Sequence, residues 1–547
     1  MRFRKLQLNP AKNPGVLATG TWDLAAAWRQ VQRLRAAPTG SAGSLVRRGS
    51  AAFQLARLPD GQQVFLEQGH GGVALGKPLG ELTLPNGCRL AAYPTDAAVV
   101  DRYCRVLEPL NRPRALGATP RLGIGTRMTT AVWPGMFAAM DRHGFAANTI
   151  QNSVRELNFL DDLLAARPAP TNYACGFGTI ETGYTGSSWE GLWVAGVLAA
   201  LAHDRPLRYG ADADHVQVKR GPAGMARARR WCDAARYYSF YTLDMADILD
   251  YGALAAPPAQ AADLLRQRIR NDQERRLVLA YHRRLGADAV GRFVGKYWDA
   301  LAALTELSAH LSRLKDGAAF DLEFTIDEHP PEVAAFDCLT TPAELRFVLG
   351  EIRRRGLPVT HIAPNLGQEK GWDYRCPDGL PGLEKRLRAQ FAIAEEFGVL
   401  LDVHSADDLT QPVRRVIRRA TGGKIHYKIS PMLQLIFAET LAEHHPALFR
   451  RWWEDALGYA RREAAAGSAF AAECVRAYES TTDRRPSRHH QVFHHYSFAF
   501  VGRRDARGQF MQREEFYSLS PAFYREYQQR VAGYLGELAG DLFQQEK

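Results

Sequence analysis

Histidines and carboxylates recur inside short apolar stretches of this 547-residue chain, and their spacing is the first thing to explain. His215 follows Asp214, Glu328 follows Asp327, His404 lies two residues after Asp402, and His426 lies two before Lys428. Imidazole and carboxylate donors together suit Zn, Mn, Co, Ni or Fe(II) better than Mg or Ca. The residues expected to hold one divalent cation are His215, Asp327, Glu328, His404 and His426, with His215, Glu328 and His404 at the centre of the set. Asp214, Asp402 and Glu323 are then candidates for orienting ligands or moving protons. Ligation needs neutral imidazole and ionised carboxylate, so activity is expected to fall in acid.

These residues sit in stretches that alternate like β-strands, where side chains i, i+2 and i+4 share a face. Asp402 and His404 alternate with Leu401 and Val403, and His426 and Lys428 with Ile425, Tyr427 and Ile429. Glu323, Thr325 and Asp327 oppose Leu322, Phe324 and Ile326, while His215, Gln217 and Lys219 oppose Val216 and Val218. Parallel sheets are normally covered by apolar packing on both faces. A single strand histidine is most often a satisfied core residue, but charged residues on one face of four strands imply a lumen that holds a metal and a polar substrate.

Eight strand candidates follow in order: Arg121 to Thr126, Ala147 to Asn152, Ala213 to Lys219, Phe320 to Asp327, Pro358 to Pro364, Val399 to His404, Lys424 to Ile429 and Val492 to Phe500. Between most of them lie amphipathic helical patterns, as in Pro342 to Arg355, Leu383 to Phe397, Gln411 to Arg419 and Pro431 to Glu443. This predicts an α/β fold, a (β/α)8 TIM-like barrel over residues 116–547. Residues 223–316 read as a helical insertion, 446–480 as two further helices, and 1–115 as a small appended α+β domain.

Composition narrows the partners. A net charge of +11 could serve nucleic acid, but the arginines are mixed with Asp and Glu along helices, so no nucleic-acid partner is expected. Apolar runs are too short to span a membrane, and Met1 to Pro10 lacks the apolar stretch of a secretory signal, so the expected location is the cytoplasm. Seven cysteines without a C-x-x-C pair argue against a disulfide framework or zinc knuckle. Gly176-Phe-Gly178 makes no dinucleotide fingerprint, and Ser187, Ser188 and Ser405 make no nucleophile elbow. His489 and His490 read as solvated beside Arg484, Arg485 and Arg488, whereas His494 or His495 could reach the site from the eighth strand.

Several of these segments resemble the tagaturonate epimerases: Gln151-Asn-Ser-Val-Arg-Glu156, Gly210-Ala-Asp-Ala-Asp-His215, Ile326-Asp-Glu328 with Thr340-Thr-Pro342, Arg353-Arg-Arg-Gly356, Val403-His-Ser405, and Ala420 to Lys428. The likeness runs from about 120 to 430, with a looser match near His494. It departs at Thr126, where the family has Asp, and at Gln217, where the family has Lys; here a lysine stands at 219. The resemblance implies a metal-dependent enzyme that interconverts D-tagaturonate and D-fructuronate, with a sugar acid as its small-molecule partner; a homo-oligomer is compatible with it. The inverted stereocentre bears a hydroxyl β to the ketone, so its C–H is not acidified, and retro-aldol cleavage followed by re-addition is the expected route. Asp214 or Asp402 would take the hydroxyl proton, and Arg155 or Lys428 would hold the substrate carboxylate. Gln151, Lys219 and His494 are further candidates for substrate contact. The rival readings are a metal-dependent isomerase or aldolase on the same barrel, and a sugar-acid-binding protein without catalysis.

Overall fold

Short, almost fully buried runs become the staves of a closed parallel barrel in the computed structural model, which describes residues 8–9, 12–13, 23–34, 44–70, 72–153, 158–168, 171–174, 178–181, 183–327 and 335–544. The remaining residues include Arg155 and Glu328, so those two expected site residues lie outside the described set.

The chain first forms a five-stranded antiparallel sheet: β1 (Val46–Arg48), β2 (Ala51–Arg57), β3 (Gln63–Gln68), β4 (Gly80–Thr83) and β5 (Arg89–Pro94), in the order β1-β2-β3-β5-β4. Here alternation works in the ordinary way. Val64, Leu66, Leu90 and Ala92 pack with Ala27 and Val31 of the helix Leu24–Gln32, whose first turn is capped by Asp23.

The barrel strands follow: β6 (Arg121–Gly125) and β7 (Ala146–Asn152), then, after the antiparallel hairpin β8 (Thr171–Ala174) and β9 (Gly178–Glu181), β10 (Tyr209–Gln217), β11 (Phe240–Asp244), β12 (Asp321–Ile326), β13 (His361–Pro364), β14 (Leu400–Val403) and β15 (His426–Ile429). Neighbours around the barrel follow chain order, and the ring closes from β15 to β6. Helices including Pro342–Arg354, Gly379–Phe397 and Gln411–Thr421 connect the strands; the first carries a Thr341/Glu344 capping box. Gly125, at the end of β6, faces the Ser430 side chain so closely that a Cβ would collide with it.

The barrel expected from the sequence is present, with two corrections. Val492 to Phe500 is no strand: Gln491–Tyr496 is a helix, and its dense aromatic content reflects burial beside Trp452, whose ring lies 4.8 Å from Phe493. The missing strand, β11, lies inside 223–316, which is therefore not wholly helical. Its five residues are buried throughout and too few to stand out between the helical stretches on either side. The three long helices Pro258–Arg268, Asp272–Tyr281 and Ala287–Lys315 come after it.

The chain divides into two compact units, one of residues 1–114, 124–211 and 430–537, the other of 115–123, 212–429 and 538–547. No helix among the described residues is long and apolar enough to cross a membrane.

Candidate active site

Within the second unit, the inward faces of β10, β11, β12 and β14, with the residue just past β12, gather six carboxylates: Asp212, Asp214, Asp244, Glu323, Asp327 and Asp402. One ammonium stands among them. Lys428 donates to Glu323 Oε2 at 2.5 Å, Thr242 Oγ1 at 2.6 Å and Asp214 Oδ1 at 3.0 Å, and lies 3.1 Å from Asp212 Oδ2. Its three N–H bonds already face four acceptors, which leaves none for a substrate carboxylate, the role anticipated for it from the sequence.

The strand period accounts for most of this. Glu323 and Thr325 share a face, with a 2.9 Å hydrogen bond between them, and Asp327 continues it. His404 stands just past the end of β14, its Nε2 2.6 Å from Glu323 Oε1 and its Nδ1 3.2 Å from Asp327 Oδ2. β10 breaks the period. Its pairing with β11 shifts between Ala213 and Val216, and His215 takes a positive φ of 51°. This bulge lets Asp214 reach Lys428 while the next residue, His215, turns to Asp244 at 3.3 Å and brings its ring edge-on to His404 at 5.2 Å. The alternation of His215, Gln217 and Lys219 expected for this strand is thus replaced by Asp212, Asp214 and His215. Positive φ recurs at Ser405, directly after His404. Such strain in non-glycine residues concentrates at functional sites.

Charge coupling separates the acids. Burial raises the Asp212 carboxyl to about 7, with Asp214 and Glu323 adding to the rise against Lys428. Burial also opposes charge on Asp214 and Glu323, but Lys428 outweighs it and holds both below the ordinary carboxylate range. Asp402 is buried and beside Glu323, so its carboxyl is pushed well above that range. The His215 imidazole is destabilised as a cation by burial, yet Asp214 and Asp244 raise it to about 9.

Deeper in the barrel, His426 pairs through Nδ1 with Asp402 at 2.8 Å, and both are fully buried. Of the four expected ligands among the described residues, His426 therefore groups apart from His404. Glu323, Asp402 and His404 make one buried donor group and His361, Asp402 and His426 another, each with donor atoms within 4.8 Å of one another. Asp327 lies on the Nδ1 side of His404. Both groups combine imidazole with carboxylate, a donor set that fits a divalent transition-type cation.

Lys219 is beyond the end of β10, 3.8 Å from Asp247. Gln151 and His494 belong to the other unit; Gln151 is buried on β7, and the rings of His494 and His495 are 4.8 Å apart. Asp212, Thr242, Asp244 and His361 escaped the sequence reading. Asp212 was legible, two residues before Asp214 on an alternating strand, and His361 stood as a lone imidazole in an apolar strand. Thr242 and Asp244 went unseen together with β11.

A parallel eight-stranded barrel with a buried carboxylate–imidazole cluster in its lumen has the architecture of a TIM-barrel enzyme. A sequence model of tagaturonate epimerase (UxaE) matches residues 91–541. The chain belongs to the tagaturonate epimerase family and is a carbohydrate epimerase. Crystal structures of fructuronate-tagaturonate epimerase UxaE from Cohnella laeviribosi are similar in fold: the native form has a TM-score of 0.67 and a form with two glycerols 0.69, each at 20% identity over 95% of this chain and 99% of that one. None of the curated proteins compared gives a match.

Proposed function

We propose that this enzyme interconverts D-tagaturonate and D-fructuronate by retro-aldol cleavage and re-addition, with a divalent cation held by His404, Glu323 and Asp402 and flanked by His215 and Asp327. The observation that carries this reading is the convergence of those donors beside the Lys428–Asp214 pair. When bound, the cation would supply Lewis acidity toward the keto and neighbouring hydroxyl oxygens. Its identity among Zn, Mn, Co, Ni and Fe is open to metal analysis.

Asp214 is the better base of the two considered. Lys428 keeps it ionised and it borders the slightly exposed His215, whereas Asp402 is fully buried and assigned to the cation. Asp214 takes the proton from the β-hydroxyl; the bond from that carbon to the carbon α to the ketone breaks, and its electron pair passes toward the keto oxygen. The aldehyde turns, the bond re-forms on its opposite face, and Asp214 returns the proton to the hydroxyl. Lys428 offsets the charge of Asp214 and Glu323 throughout. Arg155 remains assigned to the substrate carboxylate by family resemblance, with Gln151 and His494 as further substrate contacts; Lys219 is the weakest of these assignments because Asp247 already pairs with it.

Turnover in D2O tests the route. The inverted carbon keeps its own hydrogen in retro-aldol chemistry, so product should carry no deuterium there, and Asp214→Asn should lower kcat by about 10²- to 10⁴-fold with metal retained. Deuterium at that carbon would refute the route.

A further inference from the structure

We propose that the floor of the lumen is a second divalent-cation site, formed by His361, His426 and Asp402, beneath the site assigned to His404 and Glu323. One donor atom from each of the three residues lies within 4.8 Å of the other two, and all three side chains are fully buried. The interior of such a barrel is normally filled at this depth by branched apolar side chains. Here Asp402 and His426 stand opposite each other on neighbouring strands, and the His361 and His426 rings meet edge-on at 5.4 Å.

Both imidazoles are already oriented through their δ nitrogens. His361 Nδ1 is 2.8 Å from Thr360 Oγ1, and His426 Nδ1 is 2.8 Å from Asp402 Oδ2. A hydroxyl or carboxylate on one ring nitrogen is how metal-ligating histidines are commonly fixed, with the other nitrogen left for the metal. The ε nitrogens of His361 and His426 and Oδ1 of Asp402 are buried without a hydrogen-bond partner among the described residues. Orphaned polar atoms at this depth require a partner. The Phe240 ring, 4.8 Å from His361 and 5.3 Å from His426, forms one apolar wall of this pocket.

The nearby cationic side chains are engaged elsewhere: Lys428 pairs with Asp212, Asp214 and Glu323, and Arg121 with Asp321 at 2.9 Å. Asp402 belongs to both donor groups, so its carboxylate would link the two ions.

The test is metal content per chain of the purified enzyme, before and after prolonged dialysis against EDTA, with an anomalous diffraction map recorded at the absorption edge of the metal found. Two equivalents are expected, about one of them surviving dialysis because the floor is closed to solvent, with two peaks, one lying between His361 and His426. His361→Phe should remove that equivalent and that peak while leaving the peak at His404. If the variant does not fold, the wild-type map still decides. A single equivalent with its only peak at His404 overturns the second site and leaves the epimerase site intact, whereas a map with no peak in the lumen overturns both.

Discussion

The N-terminal sheet and the barrel are both built on the two-residue strand period, but they use it in opposite senses. In β3 and β5 the period gathers Val64, Leu66, Leu90 and Ala92 into an apolar cluster. In β12, β14 and β15 it sends Glu323, Asp402 and Lys428 inward, where all three are buried. Burying charge is costly, and the lumen offsets that cost only through mutual pairing and, on the reading proposed here, bound cations. The difference teaches that an inward-facing ladder of charge is the mark of the working region, while a regular apolar ladder marks a supporting one.

Removing the hub of the lumen should have the largest effect. Lys428→Met leaves Glu323, Asp214 and Asp212 without their shared counter-charge and should destabilise the fold by about 3–5 kcal/mol in denaturant titrations, with turnover abolished. Leu66→Ala is the matching change in the sheet. It should cost a similar order, about 2–5 kcal/mol, yet leave kcat of the folded protein and its metal content unchanged. Equal loss of turnover per folded molecule in both variants would erase the contrast. Asp244→Asn comes next. It keeps the shape but weakens the anchor on His215 Nδ1, and metal affinity measured by competition with a chelator should fall about 10- to 100-fold.

The smallest effect concerns a buried charge outside the lumen. Burial opposes ionisation of Glu351 on the helix Pro342–Arg354, but hydrogen bonds from His282 and Arg354 prevail and hold its carboxyl at about 2. Because the folded value lies below the ordinary 4.5, Glu351 stabilises the fold above that pH, and the contribution disappears as pH falls from 4.5 toward about 2. Glu351→Gln should flatten the thermal-unfolding profile across that window and leave the pH dependence of turnover unaltered.

How much of this was legible in the sequence varied with local geometry. Asp402, His404, His426 and Lys428 were readable because their strands alternate strictly, and β12 gave Glu323 and Asp327 in the same way. The bulge at Asp214 and His215 was not readable, since two consecutive residues reach one cluster only when the backbone leaves the strand period. β11, five residues long and buried throughout, was hidden between helical stretches, and Thr242 and Asp244 went unseen with it. The reverse error, at Val492 to Phe500, has the same origin: aromatic density signals burial before it signals a strand. The single ligand cluster anticipated from the sequence separated into two levels because period alone fixes which face a residue takes, not its height along the barrel.

The most direct test of the central claim is conversion of D-fructuronate followed by NMR, with the purified enzyme as isolated, after treatment with chelator, and after a divalent cation is restored. The account predicts that D-tagaturonate accumulates, that chelation stops its formation, and that one or more of Zn, Mn, Co, Ni and Fe(II) brings it back. Undiminished turnover after chelation would contradict it.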